Sequence, residues 1–597
     1  MKVSQRIEEL RNLMNQNNID MYIVPTADYH DSEYVGEHFK ERAFITGFTG
    51  SAGTALILKD SGAKLWTDGR YFLQATQQLE GSDVDLMKMG EAGVPTLEEF
   101  IESNLEPGQT VAFDGRSISF GQGMFLEEIV KSKNGSIIYN IDLIDKIWTD
   151  RPELSKEKIF YLEESFSGES THSKISRLRE KMKKLKVDSH IITTLDDTGW
   201  LFNIRGKDVE YFPLVLSYTV VYKDKVVLYI DDEKIPEDIK TIIKNNNVEV
   251  KPYNDIYEDV KSLSMSVLVD PDRLNYAMYK NIPDSVKIVE AMNPTILMKA
   301  MKNETEISNI RKAHIKDGIA HTKFIYWMKK LVKEGKINQE TEISASDKLE
   351  ELRKEQGDFI CPSFEPIAGF AEHGAIVHYA ATEETNKRLA MNNLFLTDTG
   401  ANYLQGSTDI TRTTALGEIS QEMKDDYTTV LQANLRLAKA IFMYGCTGMN
   451  LDILARQPFW ENARNFNHGT GHGVGYLGNI HEPPSSIRWQ FRKHEVHPFE
   501  EGMVITNEPG IYISGSHGVR LENEMLVHKT VNNEYGQFMR FEVLTYCPFD
   551  LEAINMSMLT EEDRKELNNY HARVYETISP YLSEDERSWL REATRSI

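Results

Sequence analysis

The chain has 597 residues, 40% hydrophobic and 27% charged, so it is too long for one hydrophobic core and two to four domains are expected. Its net charge of −24 argues against a nucleic-acid-binding protein, which needs a basic surface. Its cysteines, Cys361, Cys446 and Cys547, lie far apart without a CxxC pair, which argues against a disulfide framework and favours a reducing compartment.

The N-terminus predicts an amphipathic helix rather than a targeting segment. The stretch MKVSQRIEELRNLM contains acidic residues and lacks the apolar centre of a signal peptide. The sequence also lacks a run of about 18 apolar residues, so no membrane span is predicted. Together with the cysteine usage, these features predict a cytoplasmic protein without membrane or nucleic-acid partners.

The first half of the chain reads as two related α/β domains. A helical pattern from Arg6 leads to the apolar run 21–24, and a similar pattern from Arg177 leads to the run 190–193. The stretches GTALILKDSGAKLWTD and YTVVYKDKVVLYID then each predict two strands joined by a Lys-Asp turn. We therefore expect domains over residues 1–157 and 158–296, the second a duplicate of the first.

A third domain is expected over residues 297–597. It opens with a long helical pattern that ends near Gly335, a suitable C-cap. A helical extension is expected over about 550–597, with caps at Thr560 and Ser583. Its apolar stripe is predicted to pack on the same domain, and burial against another subunit is the alternative; the stripe comprises Leu567, Tyr570, Val574 and Ile578.

Five potential metal ligands lie in this third domain, each in a short and unusual segment. They are Asp398 in LTDTG, Asp409 in STDITRT, His472 in HGTGHGVG, Glu508 in NEPG and Glu522 in RLENE. Four carboxylates and one imidazole suit a pair of divalent cations, which activate water and polarise a carbonyl group. The set predicts a hydrolase, and its oxygen-rich donors favour manganese over structural zinc.

Asp398 and Asp409 are predicted to meet in a hairpin. Asp398 ends an apolar strand, Gly400 and Gly406 permit a tight return, and Asp409 lies in a threonine-rich run typical of a strand. For an isolated pair, two solvated turn aspartates would be the better interpretation.

The segment around His472 has four glycines in seven residues, so neither a good helix nor a good strand is expected there. A flexible glycine loop is the alternative, but His468 and His481 nearby favour a ligand-facing segment. The pattern GxGxxG from Gly473 follows no apolar strand and precedes two prolines, which excludes a dinucleotide site. The stretch 494–497 is interpreted as a polar surface turn.

The last two acids are predicted to lie in or beside strands. Glu508 follows the apolar run 503–506, and Glu522 should share a strand face with Arg520. Arg520 is either a structural ion-pair partner or a residue that holds a substrate carbonyl or carboxylate.

Taken together, DTGANYLQGSTDITRT, HGTGHGVG, NEPG and RLEN resemble the metal-binding segments of the pita-bread metallopeptidases. Residues 24–55, residues 195–211 and the C-terminal tail resemble the three-domain Xaa-Pro aminopeptidases of that family, so the resemblance covers essentially the whole chain. It implies an α/β (α+β) protein in which two creatinase-like, ribonuclease-H-like domains precede a pita-bread catalytic domain. It also suggests a homodimer.

The resemblance implies hydrolysis of the bond between an N-terminal residue and a following proline. The five ligands would hold two divalent ions, first of all Mn²⁺, with Zn²⁺ or Co²⁺ as alternatives. A hydroxide would bridge the ions, and Glu508 would be the general base. His378, His468 and His481 are the implied catalytic histidines, of which His378 and His481 would also contact the substrate.

Two arginines match the family, and at two places the sequence differs from the residues usual in the family. Arg520 is implied to shape the proline-side subsite, and Arg70 in WTDGRYF to reach the substrate from the first domain. Pro483 stands where a glycine is common, and Glu372-His373 where smaller or amide residues are usual; both are expected to alter subsite edges.

Two other functions stay open. A prolidase would take only Xaa-Pro dipeptides, although prolidases are usually shorter and lack the extended tail. A non-catalytic pita-bread binding module is the other alternative, although such modules typically have lost metal ligands.

Overall fold

The computed structural model describes residues 1–60, 62–492 and 495–597, so His494 of the predicted surface turn lies outside the described residues. The chain forms two compact units. The first comprises Met1–Glu163 and Glu169–Ile296, and the second comprises Glu164–Gly168 and Leu297–Ile597. The boundaries of the three predicted domains stay predictions.

Two six-stranded sheets of the same topology form the first unit. Their strand orders are β4-β3-β2-β1-β5-β6 and β12-β11-β10-β8-β13-β14. The strands of these sheets are β1 (Met21–Pro25), β2 (Thr54–Leu58), β3 (Ala63–Thr67), β4 (Val84–Lys88), β5 (Thr110–Ala112), β6 (Ser136–Ile138), β8 (Ser189–Ile192), β10 (Tyr218–Tyr222), β11 (Val226–Tyr229), β12 (Val248–Lys251), β13 (Ser266–Val269) and β14 (Lys287–Glu290). Strands β7 (Phe160–Tyr161) and β9 (Ile204–Arg205) form a separate antiparallel pair. In each sheet the second of the predicted hairpin strands follows a Lys-Asp pair, so the predicted duplication is confirmed.

The helices of the first 300 residues repeat in the same way. They are α1 (Val3–Gln16), α2 (Glu41–Thr46), α3 (Phe72–Gln78), α4 (Leu97–Asn104), α5 (Phe120–Ser132), α6 (Ile144–Ile147), α7 (Glu164–Ser167), α8 (Thr171–Leu185), α9 (Leu195–Phe202), α10 (Glu237–Asn245), α11 (Ile256–Asp259), α12 (Tyr276–Asn281) and α13 (Pro294–Ala300). Both predicted leading helices are present as α1 and α8, because each has apolar residues at helical spacing that it buries.

The second unit begins with a short segment far upstream in the chain. Residues Glu164–Gly168, which include α7, belong to this unit. The side-chain amides of Asn303 and Asn309 donate to the carbonyls of Ser167 and Ser165 at 2.9 and 3.0 Å. Since Asn303 also caps the following helix, this segment is attached to the helix start.

Six helices and fourteen strands of the second unit follow in the described residues. The helices are α14 (Glu304–Lys333), α15 (Glu342–Lys354), α16 (Gln421–Ala438), α17 (Gly448–Trp460), α18 (Glu561–Ile578) and α19 (Glu584–Ala593). The strands are β15 (Phe359–Pro362), β16 (Ile367–Phe370), β17 (Asn393–Thr399), β18 (Ala401–Tyr403), β19 (Gly406–Ser407), β20 (Ile410–Leu416), β21 (Ile441–Met443), β22 (Gly471–Gly473), β23 (Glu482–Ile487), β24 (Val504–Asn507), β25 (Gly510–Ile513), β26 (His517–Arg520), β27 (Asn523–Asn533) and β28 (Gly536–Val543).

Antiparallel pairing brings distant parts of the second unit together. The largest sheet has the order β21-β28-β27-β24-β22-β23, and a three-stranded sheet has the order β16-β17-β20. Strands β25 and β26 form a separate hairpin. The predicted long helix is confirmed as α14, and Gly335 beyond its end has the left-handed φ of 68° that favours glycine.

The C-terminal helices pack on their own unit, as predicted. Thr560 and Ser583 cap α18 and α19 through capping boxes. The stripe of α18 is buried in the core of the second unit, with Leu567 and Ile578 both 0% exposed. In the part of the chain that the structure describes, none of the helices has the length and apolar character needed to cross a membrane.

Candidate metal centre

Two paired strands carry the first two candidate ligands. Strands β17 and β20 are antiparallel, with Asp398 opposite Thr411, and Asp409 immediately precedes β20. The predicted hairpin pairing is therefore present. The return between the strands is itself a smaller hairpin of β18 and β19, which the sequence did not indicate.

His472 lies on a strand, so the expectation that its glycine-rich segment forms neither helix nor strand is wrong. Strand β22 pairs with both β23 and β24. A Cβ on Gly471 would lie 2.0 Å from the Thr506 carbonyl oxygen, and a Cβ on Gly473 would lie 2.2 Å from that of Glu482. The glycines permit a strand here because neighbouring backbone fills the space of their missing side chains.

Glu508 and Glu522 arrive from two further segments. Glu508 follows β24, and its backbone N–H donates to the Thr470 carbonyl at 2.8 Å. Glu522 lies between β26 and β27, and its Oε2 accepts a 2.7 Å hydrogen bond from the Thr411 hydroxyl. The candidate ligands are thus fixed by main-chain and side-chain contacts from four separate parts of the sequence.

These segments bring the candidate ligands into one cluster, in which Asp398, Asp409 and Glu522 are buried and the side chains of His472 and Glu508 are 15% and 18% exposed. One ligand atom from each of Asp409, His472 and Glu522 lies within 4.8 Å of the others. His472 Nε2 is 3.5 Å from Asp409 Oδ2 and 3.7 Å from Glu508 Oε1. Among the described residues, the buried Oδ1 of Asp398 has no hydrogen-bond partner.

The electrostatics of the cluster call for cations. Burial raises the pKa of Asp409, Glu508 and Glu522. Neighbouring carboxylates raise the pKa further, that of Asp409 through Asp398 and that of Glu522 through Asp409. Buried carboxylates this close stay ionised together only when positive charge is added, so the donor set fits divalent cations.

The imidazole of His472 is oriented as a metal ligand would be. Its Nδ1 lies 2.9 Å from the carbonyl oxygen of Gly473, which accepts the Nδ1 proton. This leaves the Nε2 lone pair directed at the carboxylates of Asp409 and Glu508. The hydrogen bond therefore selects the tautomer that binds a metal.

Arg520 contacts a candidate ligand. Its Nε and a terminal nitrogen donate to Asp398 Oδ2 at 3.0 and 2.6 Å, and it also donates to Tyr512 and to the Val377 carbonyl. Its buried guanidinium thus orients Asp398 through one oxygen and leaves the other oxygen for a cation. Its predicted contact with the proline-side subsite stays a prediction.

The three predicted catalytic histidines have different surroundings. The His481 ring is 4.3 Å from the His472 ring, nearly perpendicular to it. His468 Nε2 accepts a 2.7 Å hydrogen bond from Tyr512, which in turn contacts Arg520. His378 is half-buried between Val377, which Arg520 contacts, and Tyr379.

Arg70 lies in the first unit, apart from the ligand-bearing unit in sequence. Its guanidinium hydrogen-bonds to both oxygens of Asp68 and contacts Glu33 at 3.3 Å. Its side chain is 22% exposed. The substrate contact implied for Arg70 stays a prediction.

Several residues that hold the ligand-bearing segments in place were not predicted from the sequence. Arg456 on α17 donates to the carbonyls of Phe466 and His468 and pairs with Asp452, whose other oxygen accepts from Thr470. The i,i+4 spacing of Asp452 and Arg456 on a helix was an available signal.

Lys302 supports the other side of the histidine segment. Its ammonium group donates to the Val474 carbonyl at 2.6 Å and to Glu482, the residue after His481. It therefore links the segments that carry His472 and His481. A lone lysine before a helix gave no signal of this role.

Comparisons with known proteins agree with this arrangement. The family profile described as the Creatinase/Prolidase N-terminal domain matches residues 6–144 and again 150–306. Metallopeptidase family M24 matches residues 308–529, and the C-terminal region of peptidase M24 matches 537–597.

Full-length relatives decide the family. The chain is 36% identical to Xaa-Pro aminopeptidase 1 of Dictyostelium discoideum, over 100% of this chain and 97% of that protein. The chain belongs to the Xaa-Pro aminopeptidases of metallopeptidase family M24. Another member, aminopeptidase P2 of Arabidopsis thaliana, is also 36% identical, over 100% of this chain and 89% of its own length.

A solved structure of this family has the same fold. The X-prolyl aminopeptidase from Caenorhabditis elegans, described as a cytosolic enzyme with a di-nuclear active site, superposes with a TM-score of 0.95. It is 33% identical, with 100% of both chains covered. The predicted fold, creatinase-like domains followed by a pita-bread catalytic domain, is confirmed for this Xaa-Pro aminopeptidase family member.

Proposed function

We propose that the chain is a metal-dependent aminopeptidase that hydrolyses the bond between an N-terminal residue and a following proline. The observation that carries the proposal is the cluster in which Asp409, Glu508 and Glu522 lie near the imidazole of His472, with Asp398 close enough to raise the pKa of Asp409. The full-length relationship to Xaa-Pro aminopeptidases supports this substrate class.

The cluster suits two divalent ions, which we propose to be manganese, with zinc or cobalt as alternatives. Four carboxylates and a single imidazole are hard or borderline donors, which favours manganese over a thiolate-type zinc site. When bound, such ions lower the pKa of water and polarise a carbonyl group. The di-nuclear active site described for the C. elegans enzyme supports a pair of ions.

The side chains of the cluster have distinct proposed roles. Glu508 is the proposed general base, because burial raises its pKa toward the range in which a carboxylate accepts a proton from water. His481 and His378 are proposed to contact the peptide carbonyl or move protons. His468 is bonded to Tyr512, so we propose that it keeps Tyr512 oriented toward Arg520.

Proline at the second position explains why a dedicated enzyme is needed. An Xaa-Pro bond is a tertiary amide without an N–H. Peptidases that must hydrogen-bond the N–H of the second residue therefore cannot cleave this bond. We propose that Arg520 and its neighbours border the pocket for the proline ring. Arg70 is retained as a proposed substrate contact.

We also propose a homodimer in the cytoplasm. The second unit exposes large apolar side chains that suit a contact with a second copy, among them Trp460, Trp489 and Phe491, at 44%, 47% and 68% exposure. The description of the C. elegans enzyme as cytosolic supports the location. Sedimentation at low and high protein concentration tests the dimer, and a monomer at both would refute it.

A peptide assay tests the activity. Purified protein reconstituted with Mn²⁺ should release the first residue from Xaa-Pro-Xaa tripeptides and from longer Xaa-Pro peptides. Cleavage of Xaa-Pro dipeptides alone would identify a prolidase. A correctly folded protein that binds no stoichiometric divalent ion would instead be a binding module. Glu508→Gln should remove most turnover; unchanged turnover would refute its role.

A further inference from the structure

One buried glutamate holds both ends of the segment that carries His378. Glu342, at the start of α15, is 0% exposed. Its Oε1 accepts from the backbone N–H of Phe370 at 2.8 Å, and its Oε2 accepts from that of Lys387 at 2.8 Å. The backbone N–H of Glu342 in turn donates to the Lys387 carbonyl at 3.0 Å. The segment 371–386 is therefore closed at its base on a single carboxylate.

Two side chains within the segment reach the same carboxylate. His373 Nδ1 lies 2.9 Å from Oε1, and the Tyr379 hydroxyl donates to Oε2 at 2.9 Å. Burial, and then the Glu342 charge, raise the pKa of Tyr379, so its hydroxyl keeps the proton that it donates. Oε1 thus accepts from Phe370 and His373, and Oε2 accepts from Lys387 and Tyr379, with His373 Nδ1 also 3.1 Å from Oε2.

The segment also rests on the strand that carries Arg520. A Cβ on Gly518 of β26 would lie 1.7 Å from the Gly374 carbonyl oxygen, so the two backbones are in direct contact. Two residues further along β26, Arg520 donates to the Val377 carbonyl at 3.2 Å. His378 therefore lies between Val377, held by Arg520, and Tyr379, held by Glu342.

The backbone at the start of the segment needs this support. Ala371 has a φ of 56°, a left-handed conformation that residues with a Cβ rarely adopt. Such conformations persist only where neighbouring contacts enforce them. The hydrogen bond from Phe370 to Glu342, one residue earlier, is such a contact.

The departures at Glu372 and His373 belong to the same arrangement. Glu372 pairs with Lys387 at 2.5 Å, across the base of the segment. His373 contacts Glu342 and packs 4.4 Å from the Tyr379 ring. These two residues therefore fasten the segment to Glu342 and to itself.

We propose that Glu342 is a positioning residue that fixes His378 toward the metal centre. It does so through its hydrogen bonds to His373 and Tyr379, which lie in the same segment as His378. This rests on the proposed function, in which His378 contacts the substrate. Four donors converge on the two oxygens of the Glu342 carboxylate, which can accept all of them. An amide in its place would set an NH₂ group against two of those donors.

A double-mutant cycle tests whether Glu342 acts through His378. In the full-length, Mn²⁺-loaded protein, Glu342→Gln should lower kcat/KM for an Xaa-Pro-Xaa peptide by about 100-fold, the cost of a small misplacement. His378→Ala should cost at least as much. The kcat/KM of the double variant should lie within about two-fold of that of His378→Ala alone, because both substitutions act by removing the contribution of His378. Losses that multiply would overturn the proposal.

Hydrogen exchange supplies a readout that does not depend on activity. Glu342→Gln should speed exchange in peptides covering 371–387 while the bound metal stays stoichiometric. Asp563→Asn is the matched control, since Asp563 is also a buried carboxylate at a helix start in the same unit. The control should leave exchange in 371–387 unchanged and should combine multiplicatively with His378→Ala.

The two measurements separate the inference from the function on which it rests. Unchanged exchange in 371–387 would overturn the proposal whatever the activity. If the wild-type protein failed to cleave Xaa-Pro peptides, the proposed function would fall. Local loosening by Glu342→Gln would then still support Glu342 as the residue that holds the segment. Activity unaffected by His378→Ala would overturn the role of His378 and the proposal with it.

Discussion

Both units bury a group of carboxylates, but they balance the charge differently. In the first unit Glu41 and Asp142 share Arg151, and Asp114 pairs with Arg116 at 2.7 Å. In the second unit Arg520 hydrogen-bonds to Asp398, while Asp409 and Glu522 face each other beside His472.

The difference separates a structural cluster from a metal centre. Three carboxylates opposed by two arginines nearly neutralise one another, so the first cluster is complete as folded. The second cluster has four carboxylates and only one arginine, and the Nδ1 proton of His472 is donated to the Gly473 carbonyl rather than to a carboxylate. The second cluster therefore requires further positive charge. The ratio of arginines to acids, rather than burial, identifies the cation site.

The largest expected effect is a difference between the two clusters when one carboxylate is neutralised in each. Asp409→Asn should lose bound metal and lower kcat/KM by more than about 100-fold, since even residues behind the ligands cost 10- to 100-fold. Glu41→Gln should keep full metal content and activity. Metal analysis after desalting and a peptide assay measure both. Full metal content in Asp409→Asn would contradict the assignment.

Removing the metal should weaken one unit selectively. A ligand at about 1,000 times its Kd stabilises the native state by about 4 kcal/mol, so chelation should lower the free energy of unfolding of the second unit by a similar amount. Hydrogen exchange should then rise in β17 and β20 and stay constant in β1 and β10. An equal loss of protection in both units would show that the metals are not confined to the second.

The first cluster should respond to pH. Burial, then the charge of Asp142, raise the pKa of Glu41 from 4.5 to about 8. The folded state therefore binds a proton more tightly than the unfolded state, and stability is lost as pH rises from 4.5 through about 8. Within that window the slope is about 1.4 kcal/mol per pH unit.

A variant isolates this contribution. Glu41→Gln retains a hydrogen-bond acceptor for Arg151 but cannot titrate, so its first unit should lose the pH-dependent part of its stability. Urea unfolding at several pH values, read by pulsed hydrogen exchange in β1 and β2, measures the slope. Equal slopes in the variant and the wild type would contradict the raised pKa.

The second unit should respond to pH in the opposite direction. Burial lowers the pKa of His571 from 6.5 to about 3, and the Phe549 N–H donates to its unprotonated Nε2 at 3.1 Å. The unfolded state takes up the proton first, so stability is lost as pH falls from 6.5 toward 3. From pH 6.5 to 5.5 we expect a loss of roughly 1 kcal/mol.

The test again uses a neutral replacement. His571→Gln keeps an acceptor for the Phe549 N–H, so it should reduce the loss of stability in acid while leaving the first unit unchanged. Urea unfolding read by hydrogen exchange in α18 gives the slope. A steeper acid response in the variant would refute the prediction.

Local and repeated features were predictable from the sequence. The Thr560 and Ser583 caps act on residues three positions away, and the stripe of α18 follows helical spacing. The duplicated sheets were visible because each half repeats helix, strand and Lys-Asp turn in the same order. Four of the five candidate ligands stood out because they lie in segments rich in glycine, proline or threonine, and Glu522 stood out because it lies in the charged segment RLENE beside Arg520.

Contacts between distant segments were not predictable. The segment around His472 forms a strand because the Thr506 and Glu482 carbonyls occupy the space beside its glycines. Arg520 contacts Asp398, which is 122 residues away. Glu342 and His373 are 31 residues apart on different elements, and neither has a neighbour in sequence that signals the pair. Such contacts depend on the assembled fold rather than on local pattern.

The short segment Glu164–Gly168 has a consequence for how the protein is made. The ribosome completes it more than a hundred residues before its partners Asn303 and Asn309, a delay on the order of ten seconds. A fragment that starts at Leu297 would lack it and would leave the amide donors of Asn303 and Asn309 without these carbonyls. A recombinant catalytic fragment should therefore carry this peptide through a linker, since no single cut of the gene separates the two units.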